Sequence, residues 1–228
     1  MSNLQRYAAP LLALQLAGGC SAQTQEQPPA QQADAASEQQ ERRLVLAFGD
    51  SLYAGYGMGK AQSFPAALQR ELAQRGINAE VVNAGVSGDT TFGGRRRLAA
   101  TLDRLAAKPD LVVLGLGAND ALIGVPAAEV RRNFDAMLAE LEQRGIPVLL
   151  TGLVAPPAFK SPYFAQYEAI IPEVAERHGA KLEPSLLEGV LTRREYLLAD
   201  GVHPNPKGTQ RMAERVAPLA AEALEGAS

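Results

Sequence analysis

The chain lacks several features that would announce a function directly. Its 228 residues include one cysteine, two histidines and no tryptophan, and its formal charge is -3. A single thiol excludes a disulfide framework and any zinc site built on several cysteines. Two histidines without an H-x-x-x-H spacing leave few nitrogen ligands for a metal. The small net charge shows no basic excess, so no nucleic-acid partner is expected either. The G-x-S-x-G elbow of α/β-hydrolases is also missing.

The one cysteine has a telling position. Residues 7–19, YAAPLLALQLAGG, follow Arg6 and run directly into Cys20. This apolar stretch is too short to span a bilayer but suits the core of a signal peptide. Ala17, Gly18 and Gly19 before Cys20 resemble a bacterial lipoprotein cleavage box, with Leu16 one place further back than usual. Residues 1–20 are therefore expected to direct export, with Cys20 as the lipidation site and the means of membrane attachment. Residues 21–42 hold no aromatic and no large aliphatic side chain. Such a segment cannot bury enough apolar surface to offset its ordering entropy, so a disordered tether is expected. The folded domain then covers residues 43–228, in the periplasm or anchored at a bacterial membrane.

Hydrophobic residues make up 46% of the chain, enough for a sizeable core. Continuous apolar runs at 44–48, 79–85, 110–117 and 146–154, with a weaker one at 180–183, predict strands. Between them lie helical stripes: Leu98, Leu102 and Leu105; Val130, Phe134, Met137, Leu138 and Leu141; and Met212, Val216, Leu219 and Ala223. Pro218 is expected to kink or interrupt the last of these. Unalternating strands that each precede a helix imply a parallel sheet covered on both faces. The expected fold is a three-layer α/β/α sandwich, flavodoxin-like, with about five parallel strands.

In such sheets ligands bind outside the carboxyl ends of the strands. GDS follows the first strand, GVSGDT the second, GLGAND the third and APP the fourth. Ser51 in GDS is a small nucleophile beside an acid, although an isolated Gly-Asp-Ser is also an ordinary capping turn. Its base would be His203 in DGVHP, with Asp200 three residues earlier to orient the imidazole, unless that pair merely caps the final helix. His178, next to Gly179, reads as a helix-end residue. Gly88, Asn119 and the Ser51 N–H are candidate donors to a tetrahedral oxyanion. Met58, Phe92, Leu122 and Ile123 would flank the pocket, with Phe159, Tyr163 and Phe164 as an apolar wall. Two other readings remain open on these residues: a metal-dependent phosphoesterase using Asp50, Asp120, Asp200 and His203, and a non-catalytic binding lipoprotein. GLGAND is a poor dinucleotide fingerprint, because Asp120 stands at the third glycine position.

GDSL at 49–52, Gly88 in NAGVSGDT, GAND at 117–120 and DGVHP at 200–204 together resemble the ordered blocks of the SGNH (GDSL) hydrolase family. GDSLYAGYGM and VVNAGVSGDTT are similar to its bacterial acyl-thioesterase I, lysophospholipase and arylesterase branch. The resemblance implies a cofactor-free esterase acting on small-molecule carboxylic esters or thioesters. It also implies Ser51 as nucleophile, His203 as general acid/base and Asp200 as its partner. The implied oxyanion hole is formed by Ser51, Gly88 and Asn119.

Overall fold

The computed structural model describes residues 42–152 and 161–226. The expected signal segment with Cys20, the tether up to residue 41 and the loop aromatic Phe159 lie outside the described residues.

The five strands are β1 (Arg43–Gly49), β2 (Ala79–Gly85), β3 (Leu111–Gly115), β4 (Val148–Thr151) and β5 (Lys181–Glu183). They pair in parallel, in the order β2-β1-β3-β4-β5. The helices are α1 (Ser51–Ala54), α2 (Phe64–Gln74), α3 (Thr91–Leu102), α4 (Ala118–Ile123), α5 (Ala127–Gln143), α6 (Pro162–Glu168), α7 (Ile170–His178) and α8 (Pro206–Glu225). The apolar runs predict the sheet because its central strands β1, β3 and β4 are covered on both faces. Val45, Ala47, Leu111, Val113 and Leu149 join α2 and α8 in one core cluster. Leu46, Phe48, Val112, Leu114 and Leu150 face the other way and meet α3, α5 and α7. The strand order reverses between β1 and β3, and the crevice at their carboxyl ends is where this topology binds ligands.

Two expectations need correcting. Helix α8 runs unbroken through Pro218. Proline forgoes one backbone hydrogen bond there, but it faces solvent while Met212, Ala213, Val216, Ala217 and Ala220 pack the opposite side into the core. Leu105 lies beyond α3, which ends at Leu102, yet it still packs on the same core cluster.

Tyr53 sets the position of the first loop. It is fully buried, two residues after Ser51, and meets Phe64 edge-on at 5.0 Å between ring centroids. The residue lies over a row of glycines that end three adjacent strands, with Gly49 in register with both Gly85 and Gly115. A Cβ on Gly49 would come within 2.4 Å of Tyr53 Cδ2, and one on Gly115 within 2.6 Å of its hydroxyl. A Cβ on Gly85 would meet the backbone itself, 2.2 Å from Ala54 N. The hydroxyl reaches the end of β4, sharing a 2.9 Å hydrogen bond with Thr151 Oγ1. Burial pushes the Tyr53 phenol far above its ordinary titration range. The short helix α1 is capped by Asp50, whose Oδ1 accepts from Leu52 N–H at 3.0 Å. Burial of that carboxylate outweighs the capping bond and raises its pKa from 3.8 to about 6.

Both features have measurable consequences. Gly85→Ala forces α1 off the strand ends, and overpacking of this kind costs ~1–3 kcal/mol. An unchanged urea midpoint would refute the close-approach account. Asp50 has its pKa raised in the folded state, so its neutral form favours folding at low pH. That contribution is lost as pH rises through about 6. Asp50→Asn keeps the cap acceptor without the charge. It should gain on wild type between pH 4 and 7, by up to about 3 kcal/mol in urea unfolding.

Candidate active site

Ser51 is the first residue of α1, so its N–H has no acceptor within the helix and its side chain stands at the carboxyl end of β1. The loop between β5 and α8 brings the imidazole to it. Asp200 Oδ1 accepts from the backbone N–H groups of Val202 and His203 at 2.9 and 3.0 Å. Its Oδ2 lies 2.8 Å from His203 Nδ1. These bonds hold the Asp200 carboxyl low, near a pKa of about 2, with the Val202 N–H contributing most and the imidazole next. An ionised carboxylate only accepts, so Nδ1 carries the ring proton and Nε2 is left with its lone pair. That lone pair faces Ser51 Oγ at 3.1 Å. A carboxylate, an imidazole and a hydroxyl thus form one hydrogen-bonded chain able to remove the serine proton.

The supporting loop is tied at several points. Asn205 caps α8 through Lys207 and Gly208 N–H, and its amide donates to the Glu195 and Leu197 carbonyls at 2.8 and 3.2 Å. The Arg194 guanidinium donates to the carbonyls of Leu197, Leu198 and Ala199 just ahead of Asp200.

Gly88 lies in the turn Val86–Asp89, closed by Asp89 N–H donating to Val86 O at 3.1 Å. Its φ of 81° is left-handed, the third-position conformation of a type II turn that favours glycine. Asn119 lies in the first turn of α4, and its amide donates to Asp89 O at 2.8 Å. One amide hydrogen of Asn119 is thereby used to join the Gly88 turn to α4, and the second remains for a ligand.

Asp120 has a structural part. It is fully buried, and its two oxygens accept from Thr91 N–H and Thr91 Oγ1–H at 2.9 and 2.6 Å. Asn133 donates to that same hydroxyl at 3.1 Å. Among the described residues, no three His, Cys, Asp or Glu side chains converge as a metal-ligating group. His178 is at the end of α7, paired with Asp135 at 3.1 Å, as its helix-end reading anticipated.

A cavity of about 370 Å³ opens beside Ser51 and His203. Its lining is dominated by apolar side chains, among them Leu116, Leu122, Val130, Phe134, Phe164, Tyr167, Ile170, Ile171, Leu187 and Leu191. Of the expected pocket residues, Leu122 and Phe164 line it. Met58, Phe92 and Ile123 do not, which corrects their placement. Phe92 is at the solvent face of α3 with the Arg96 guanidinium 5.6 Å over its ring. Ile123 is 70% exposed at the end of α4, about 100° around the helix from Leu122. Tyr163 stands outside the lining and donates its hydroxyl to Ala121 O at 3.0 Å.

Sequence reasoning missed two contributors. Arg97 donates to Asp89 Oδ2 at 2.7 Å and to the carbonyls of Ala84 and Gly49 at 2.8 and 3.0 Å, joining two strand ends to the Gly88 turn. The second is Tyr56, whose ring lies on His203. In the sequence Arg97 is one of three consecutive arginines, and nothing in the local pattern marks which of them aims inward.

Comparison with known proteins identifies the family. Residues 47–211 match the model of the GDSL-like Lipase/Acylhydrolase family. An arylesterase of Vibrio mimicus is 39% identical over 183 residues, covering 80% of this chain and 90% of the relative. The solved structure of AlinE4, an SGNH-hydrolase family esterase, is 44% identical with a TM-score of 0.68, covering 81% of this chain and 97% of that one. The structure of TesA is 36% identical with a TM-score of 0.75, covering 79% and 99%. With these blocks in order on this sheet, the chain belongs to the GDSL-like lipase/acylhydrolase family.

Proposed function

We propose that the protein is a serine esterase that cleaves carboxylic esters through an acyl-enzyme on Ser51. The observation that carries this reading is the chain Asp200 Oδ2–His203 Nδ1 at 2.8 Å and His203 Nε2–Ser51 Oγ at 3.1 Å, at the mouth of an apolar cavity. Ser51 Oγ attacks the ester carbonyl carbon as its proton passes to His203 Nε2. The tetrahedral oxygen takes hydrogen bonds from Ser51 N–H, Gly88 N–H and the second Asn119 amide hydrogen. Collapse expels the alcohol or thiol, which takes the proton from His203. Water, deprotonated by the same nitrogen, then releases the acid.

The cavity suits a hydrophobic acyl or aryl group, since a volume of about 370 Å³ lies at the lower end of small-molecule pockets. Exposed Leu122 and Val202 extend the apolar character to surfaces near the opening. The names of the relatives add aryl esters and thioesters as substrate classes to assay. A phosphoesterase reading has less support, because Asp120 spends both oxygens on Thr91. We also propose export and attachment at a membrane through Cys20, supported by the apolar stretch 7–19 and the glycines before the thiol.

A fluorophosphonate should label wild type at Ser51 alone, and Ser51→Ala should neither label nor turn over p-nitrophenyl esters. Labelling elsewhere, or retained turnover, would overturn the assignment. Activity unchanged by EDTA distinguishes this chemistry from a metal-dependent phosphoesterase. Asn119→Ala should lower kcat by ~10²–10³ through loss of an oxyanion donor. It should also cost about 1 kcal/mol of stability, because the bond to Asp89 O is lost as well. A stability loss with kcat intact would make Asn119 purely structural. Palmitate incorporated by wild type in cells and not by Cys20→Ala tests the anchor.

A further inference from the structure

Tyr56 is 50% exposed, yet its ring is stacked on the imidazole of His203, with centroids 4.3 Å apart and planes inclined by 31°. The local sequence explains how it comes to be there. Gly55 and Gly57, on either side of it, have φ of 80° and 71°, both left-handed. They turn the chain back after α1, and Tyr56 N–H donates to Ser51 O at 3.2 Å. Side chains at the two glycines would also collide, with Ser63 Cβ at 2.8 Å and Leu198 Cδ1 at 2.9 Å. The two left-handed glycines thus make the turn within which the Tyr56 ring meets the imidazole.

The edges of that imidazole are already occupied, Nδ1 by Asp200 and Nε2 by Ser51. The Tyr56 stack covers one face. During the reaction His203 alternates between a neutral ring and an imidazolium, and the negative face of an aromatic ring attracts the cation more strongly. We propose that Tyr56 is a positioning residue for catalysis: its ring face holds the imidazole in line with Ser51 and Asp200 and stabilises the imidazolium formed when Ser51 gives up its proton. This rests on the reading of His203 as the base. The stabilisation arises with the charge, after substrate is bound, so it acts on kcat and leaves KM alone.

The test compares Tyr56→Leu, which keeps bulk without the π face, with Tyr56→Phe, which keeps the face. Each is assayed on a p-nitrophenyl ester, with active sites counted by fluorophosphonate titration so that misfolded protein does not contribute. Tyr56→Leu should lower kcat about three- to tenfold with KM within about twofold, and Tyr56→Phe should recover most of that loss. In a His203→Ala background, with sites counted by total folded protein, Tyr56→Leu should leave the residual rate where it is. The inference is overturned by wild-type kcat in Tyr56→Leu, by a loss confined to KM, by Tyr56→Phe being as slow as Tyr56→Leu, or by the same loss without His203. Full turnover by His203→Ala alone would instead defeat the assignment of the base, a separate outcome.

Discussion

Tyr53 rests on the carboxyl ends of β1, β2 and β3, and its hydroxyl touches the end of β4. That contact requires glycine at Gly49, Gly85 and Gly115, in register across the sheet. Since Tyr53 belongs to the same short helix as Ser51, fixing the ring fixes the serine. A helix of four residues has almost no stability of its own. Its position is supplied by the buried side chain on one side and the Asp50 cap on the other. Ser51 is thereby held by the sheet itself rather than by a free loop, which is the rigidity that a reacting group needs.

The Gly88 turn and the Asn119 amide, proposed as oxyanion donors, depend on a second set of contacts. Arg97 binds the carbonyls that end β1 and β2 and the carboxylate of Asp89, with its guanidinium 3.7 Å over the Phe48 ring. Asp89 in turn offers its carbonyl to Asn119. Asp120, Thr91 and Asn133 form a satisfied buried network that ties α3, α4 and α5 together directly below. Buried polar groups this fully paired specify one arrangement, because breaking any member leaves an unpaired donor or acceptor in a dry environment. The Gly88 turn and the Asn119 amide are therefore placed by polar contacts, where Ser51 is placed by packing.

Much of this was legible in the sequence, for physical reasons that also mark where reading stopped. A parallel sheet buried on both faces needs uninterrupted apolar strands, and the runs around Val45, Val113 and Leu149 announce it. Asp200 and His203 meet through a turn of three residues, a local arrangement that the spacing already implies. The part taken by Asp120 could not be read, since a carboxylate beside a glycine loop looks the same whether it faces a ligand or a threonine on another helix. Phe92 and Ile123 differ from expectation because hydrophobic residues near the correct strand ends can still face outward, and the angle around the helix decides which, while Met58 is half-buried away from the cavity lining. Pro218 misled because its penalty falls on the solvent side of α8, while the apolar side remains packed.

Two carboxylates lie near one imidazole, and their environments separate them. Asp50 is buried, and desolvation lifts its pKa to about 6. Asp200 stands at the surface, where the Val202 N–H and the imidazole hold its pKa at about 2. Only Asp200 is a permanent anion through the range in which an imidazole changes charge. An exposed anion is screened by water, so its long-range attraction contributes little there. What remains is direct hydrogen bonding: one oxygen clamps the loop backbone, and the other fixes the tautomer of His203. A surface carboxylate is sufficient for this because its role is to hold a proton on Nδ1, and that depends on the 2.8 Å contact rather than on burial.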